Sequence, residues 1–190
     1  MPPGSLRTAL PLAVSFFCFA LLFLALAGML PAYLVARRDM SATAAGQTVA
    51  VATALGIAGS FAAAGLMHRG AAPGRLIAFG LAASTAAAIL AFRPEVGLPA
   101  SIAGFALSFA IGGLVPSAAF AAVPRLAPGP RAIGPINGLL AQAGSLGSLA
   151  GPPALALWVE LTDWAYAPLL LLVVAAIGAV TVIVRRTRLV

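Results

Sequence analysis

The chain has 190 residues, of which 62% are hydrophobic and 8% charged, with a mean hydropathy of +1.09 and a formal net charge of +7. Soluble domains carry about 25% charged residues, so this chain has too few ionisable groups to cover a water-facing surface. The composition excludes a disordered chain and, despite the basic balance, a nucleic-acid binder; it describes a single-domain integral membrane protein whose first partner is the lipid bilayer.

Charged residues and His68 divide the sequence into six long uncharged intervals, 8–36, 40–67, 76–92, 96–124, 132–159 and 164–184. A helix crosses the hydrocarbon with roughly 20 apolar residues, in a range of about 17 to 25 and more when tilted. All six qualify, so the predicted fold is an all-α membrane domain of six transmembrane helices. Span 1 follows Arg7 as a signal peptide would. Its apolar run outlasts a signal core of about 7 to 15 residues, which makes it an uncleaved helix. Span 3 is the shortest, and Arg75 lengthens it by reaching toward the headgroups.

All eleven basic residues are arginine. Eight of them (Arg7, Arg69, Arg75, Arg125, Arg131, Arg185, Arg186 and Arg188) lie in the termini and even-numbered loops, without any acid. The odd-numbered loops hold Arg37, Arg38 and Arg93 with all four acids, Asp39, Glu95, Glu160 and Asp163. Counted by the positive-inside rule, this places both termini in the cytoplasm of a multi-pass plasma-membrane protein, and the lysine-free, Gly- and Pro-rich composition suggests a bacterial inner membrane. Tyr33, Trp158, Trp164 and Tyr166 then gather at the outer interface.

Interval lengths repeat as two similar triplets, and Gly28-Met29-Leu30-Pro31 in span 1 has a counterpart in Gly113-Leu114-Val115-Pro116 of span 4. Because three is odd, a second triplet enters the membrane from the opposite side, so the expected organisation is two inverted repeats, about 8–92 and 98–184. Gly and Pro within spans favour protein-lined cavities, which nominates spans 1 and 4 as cavity walls. Small and polar rows mark packing faces: Gly46, Ala50, Thr53, Gly56 and Ser60 in span 2; Ser101, Gly104, Ser108, Gly112 and Pro116 in span 4; Gly134, Asn137, Ala141, Gly144, Ser148 and Gly151 in span 5, beside Gly138, Gln142 and Ser145. Spans 3 and 6 lack such rows and are expected to face lipid. A buried side-chain amide without a partner is costly, so Asn137 and Gln142 are expected to bond another helix or a substrate.

The chain resembles the carboxyl-terminal six-helix half of a major facilitator superfamily transporter, in the broad group of cyanate-permease-like carriers. Two motifs carry the likeness. The loop between the second and third helices keeps Gly65, Arg69, Gly74 and Arg75 of the family pattern, with His68 where an Asp belongs and with stretched spacing. On span 5, Gly138, Gly147, Gly151 and Pro152 match the family's Gly-Pro motif, while Leu155 replaces its last Gly. The resemblance implies helices 1 and 4 of the half around a central cavity, helices 2 and 5 against another six-helix half, and helices 3 and 6 in lipid. It further implies transport of a small solute by rocking of two bundles, with Tyr33, Gln47, Ser108, Asn137 and Gln142 as substrate-pathway or interface contacts. The other half is a separate chain, a missing amino-terminal segment or a second copy.

Chemistry of other kinds has little to stand on. No span holds an Asp, Glu, Lys, Arg or His away from its ends, so no intramembrane proton relay is expected. One His, one Cys and four acids placed at helix ends make no metal site, and Cys18 has no disulfide partner. Ser145 lacks a His within any span to act as a base, so no enzyme or cofactor is expected. His68 beside Arg69 is expected to sit solvated at the interface. The competing readings are a non-transporting scaffold or inactive remnant, and another six-helix transport component.

Overall fold

The computed structural model describes residues 5–183, and every regular element among them is helical. The elements are α1 (Ser5–Arg38), α2 (Ala42–His68), α3 (Pro73–Ala91), α4 (Leu98–Gly112), α5 (Leu114–Leu126), α6 (Pro130–Leu161), a 3-10 turn (Trp164–Tyr166) and α7 (Ala167–Ile183). Arg185, Arg186, Arg188 and the side chain of Arg7, part of the charge asymmetry, lie outside the described residues.

Five helical stretches are long and apolar enough to cross a membrane: 9–38, 42–68, 73–91, 98–126 and 164–183. The remaining helix, α6, has 32 residues, ample length for a span, but its glycines, Asn137 and Gln142 dilute its apolar character. These helices make an all-helical, multi-pass membrane fold.

Short connections punctuate it with identifiable chemistry. Asp39 turns the chain out of α1 with φ of 53°, a conformation Asp tolerates better than most residues. Ser41 then caps α2, its hydroxyl accepting from the Ala44 amide. After α2, Gly70 takes φ of 91°, the Gly70 amide donates to the Met67 carbonyl and the Ala71 amide to the Leu66 carbonyl. This is the paired closure of a Schellman motif, which favours Gly at that position. Pro73, Pro99 and Pro130 stand in the first turns of α3, α4 and α6, where a missing amide costs no helical bond.

The fourth span is broken between α4 and α5 at Gly113. Pro116 cannot donate to the Gly112 carbonyl and its ring crowds that turn, which accounts for the break. Ser60 of α2 donates its hydroxyl to the carbonyl of the next residue, Gly113, at 3.0 Å. In hydrocarbon, a neighbouring hydroxyl is one of the few partners available to such a carbonyl.

Helix α1 is the axis of the bundle and is more than half buried. Its broadest contact is with α6, and it also packs on α7. On the other side α2 lies along α4 and α5, which in turn pack on α3; α3 and α7 join the two halves. Backbones approach most closely at two crossings. A Cβ at Gly59 would collide with the Ala110 carbonyl and one at Gly113 with the Gly56 carbonyl. A Cβ at Gly147 or Gly151 would collide with the Phe17 or Leu21 carbonyl of α1. Glycine is needed at these crossings because a side chain would push the helices apart.

The packing rows of spans 2 and 5 are rotated from those expected. The buried face of α2 is Ala45, Val49, Ala52, Gly56, Gly59 and Ala63, and Gly46 and Ala50 are exposed. The buried face of α6 is Ala132, Ile136, Leu140, Gly144, Gly147, Gly151 and Leu155, while Gly134 and Ala141 are exposed. Small residues are required only where helices cross, and larger ones fill the space where they diverge. The row in span 4 does face inward, with Ser101, Ser108 and Gly112 buried.

Candidate functional site

One end of the bundle collects the turns after α1, α3 and α6. Arg38, in the last turn of α1, is held there by four acceptors. Its Nη1 donates to the Val96 carbonyl at 2.7 Å, Nη2 to the Arg93 and Ala91 carbonyls at 2.9 and 3.4 Å, and Nε to the Tyr33 hydroxyl at 3.2 Å. The guanidinium thus sits against the carbonyl end of α3, where the helix dipole favours a cation. Ser101 adds a hydroxyl to the Ala91 carbonyl at 2.7 Å, and Tyr33 donates to the Phe92 carbonyl at 3.4 Å. Arg37 pairs with Asp163, both partly exposed, and ties the same helix end to the turn before α7.

Aromatic rings fill the space beneath. Tyr33 meets Phe92, Phe105 and Trp164 edge to face at centroid distances of 4.7, 5.9 and 5.3 Å. Trp158 donates its indole N–H to the Tyr166 carbonyl at 2.9 Å, so both Trp and both Tyr do gather at this end. A pocket of about 220 Å³ opens here between Tyr33, Arg37, Pro94, Asp163 and Trp164.

The five residues nominated for a substrate pathway do not converge. Tyr33 is buried in the aromatic cluster, with its hydroxyl occupied by Arg38 and Phe92. Ser108 is buried in the core at the junction of α1, α3, α4 and α7. Gln47 is exposed on α2 and lines an open, largely apolar groove of about 330 Å³ with Val51, Ile102 and Ala106. Gln142 is exposed on α6; Asn137 is half-buried, and its side-chain carbonyl oxygen is buried with no partner among the described residues.

The motif residues divide similarly. Gly147 and Gly151 lie at the α1 crossing, and a Cβ on Gly28 would meet Pro152 at 3.2 Å; Gly138 is exposed, with open space around it. Gly65, His68, Arg69 and Arg75 are exposed around the α2–α3 turn, and Gly74 is half-buried. His68 is the last residue of α2, as expected of an interfacial residue.

The Arg38 anchor was not anticipated. Its only sequence signal is a basic pair closing a long apolar span, which also describes a residue reaching for headgroups. Among the described residues no group of three His, Cys, Asp or Glu side chains is placed to hold a metal. No protein-family model matches the chain, and none of the curated proteins is detectably similar to it in sequence.

Proposed function

We propose that this chain is one six-helix half of a secondary transporter of the major facilitator type, moving a small solute by alternating access against another six-helix half. The observation that carries the reading is an exchange symmetry in the packing. Let span 1 trade places with span 4, span 2 with span 5, and span 3 with span 6. The α1–α6 contact then becomes the α2–α4 contact, α1–α7 becomes α3–α4, and α3–α7 maps onto itself.

Residue detail supports the same exchange. Gly28 and Gly113 stand at equivalent places, the first against Pro152 of α6, the second against Gly56 and Ser60 of α2. Gly151 approaches the α1 backbone at Leu21 and Ala25 as Gly59 approaches the α4 backbone at Ala110. Packing related in this way supports the reading of two inverted repeats, since a second triplet would enter the membrane from the opposite side.

The outer surfaces support a second bundle as partner. The outward residues of α7 are Leu169, Leu172, Val173, Ile177, Val180 and Ile183, a surface suited to lipid. The exposed side of α6 carries Gly138, Gln142 and Ser145 beside Leu146, Leu149 and Leu157, and that of α2 carries Gly46, Gln47 and Ala50 beside Val51, Ile57 and Phe61. Lipid tails satisfy no amide, so the surroundings of Gln47 and Gln142 are suited to protein or to a wet cavity. Gln47, Asn137 and Gln142 are the proposed pathway or interface contacts, while Tyr33 and Ser108 serve the scaffold. The arginine count supports a plasma-membrane location with both termini cytoplasmic.

Cysteine accessibility tests the reading. In a Cys18→Ser background, Gln47→Cys and Gln142→Cys in the assembled protein should react with a water-soluble maleimide or be shielded from it by the partner bundle and become reactive on its removal. Ile177→Cys should stay unreactive throughout. Unreactive cysteines at all three positions, with and without a partner, would place these faces in lipid and end the transporter reading.

A further inference from the structure

Four polar side chains in the described part of the protein are fully buried: Ser15, Thr85, Ser101 and Ser108. Ser101 is bonded to the Ala91 carbonyl. The buried hydroxyl without any partner is that of Ser15; those of Thr85 and Ser108, near the middle of α3 and α4, are not sealed in the same way and open on a small space, whereas Thr53, Ser84 and Thr181 each donate to a carbonyl of their own helix. Thr85 and Ser108 line one cavity, together with Ser84, Gly112 and the rings of Phe19 and Phe23.

That cavity leaves about 20 Å³ for the centre of a water molecule. About 10 to 15 Å³ is enough for one, provided that two to four polar partners surround it. Three hydroxyls from two helices meet this requirement without any charge. A metal ion would need more oxygen ligands than three, and an organic solute would need a far larger space.

We propose that this is a single-water site, in which one ordered water bridges Thr85 and Ser108 and joins α3 to α4 at mid-membrane depth. The site is independent of transport. It explains why two hydroxyls are retained unpaired by protein in a region otherwise built of Phe and Leu, where an unsatisfied hydroxyl is costly.

Gly112 provides a test whose sign depends on the water. A Cβ there would meet Phe19 and Phe23 at 3.7 Å and Ser84 at 3.9 Å, ordinary contact distances, so alanine fits within the cavity wall. In a dry cavity, Gly112→Ala would fill space and favour the helix, raising the unfolding temperature. In a hydrated one, the methyl displaces the water and strands two hydroxyls. We expect a fall of about 2 to 4 °C in the unfolding midpoint of the full chain in detergent.

In a Thr85→Val, Ser108→Ala background, the same Gly112→Ala change should instead raise the midpoint, because no hydroxyl remains to be stranded. A rise in both backgrounds would overturn the proposal, as would a fall in both. Should the double variant not fold, an experimental map resolving ordered solvent decides: density between Thr85 and Ser108 is expected, and hydroxyls turned to their own helix carbonyls with no density between them would overturn it.

Discussion

Arg38, at the end of α1, is joined to Val96, in the turn between α3 and α4, by a 2.7 Å hydrogen bond from guanidinium to carbonyl. With the bonds to Arg93, Ala91 and Tyr33, that contact fastens the end of the central helix to its neighbour. Replacing Arg38 by Met should lower stability by about 2 kcal/mol, since each lost acceptor keeps its desolvation cost. Arg38→Lys should recover little, because one ammonium cannot span the same fork. Thermal unfolding of purified variants checks this, and full recovery by Lys would show that charge alone matters.

Arg37 and Asp163 form the opposite case, a pair with both side chains partly exposed. Such pairs contribute about 0 to 1 kcal/mol and weaken with salt. Arg37→Gln should therefore shift stability far less than Arg38→Met, and unfolding midpoints at low and high salt should expose the difference.

The glycines of α6 should respond by position. Gly147→Val should cost about 2 kcal/mol or more, because its side chain would collide with the Phe17 carbonyl. Gly138→Ala should be neutral or stabilising, since nothing lies within 4 Å of the added carbon and alanine favours the helix. Equal losses at both sites, measured by unfolding in detergent, would mean that the helix is rotated from the face described.

Ser60→Ala removes the hydroxyl that serves the Gly113 carbonyl. The expected loss is about 1 kcal/mol. Ser60→Thr should retain the bond, and equal unfolding midpoints for wild type and Ser60→Ala would show that the carbonyl finds another donor.

The spans were legible because hydrocarbon demands long uncharged runs, and all six intervals coincide with helical stretches within a few residues at the described ends. The break at Gly113 was not legible, because the same Gly-x-x-Pro stands at Gly28 to Pro31, where α1 runs on unbroken. Nor was the rotation of α2 and α6, because a row of small residues marks where a backbone can approach and not where it does. Gly134 and Gly151 belong to one row in the sequence, yet only Gly151 meets α1. Tyr33 and Ser108 show the same limit: polarity in a span signals an obligation to bond without naming the partner, which is Arg38 and a carbonyl for one and, on the proposal above, a water for the other.

On the proposed function, the bundle works against a second one across the exposed faces of α2 and α6. Native mass measurement of the tagged chain, extracted in its own membrane patches from its source, tests it most directly. An assembly of at least two six-helix bundles, well above the 18.9 kDa of one chain, is the expected result. A lone six-helix bundle in those patches would contradict it.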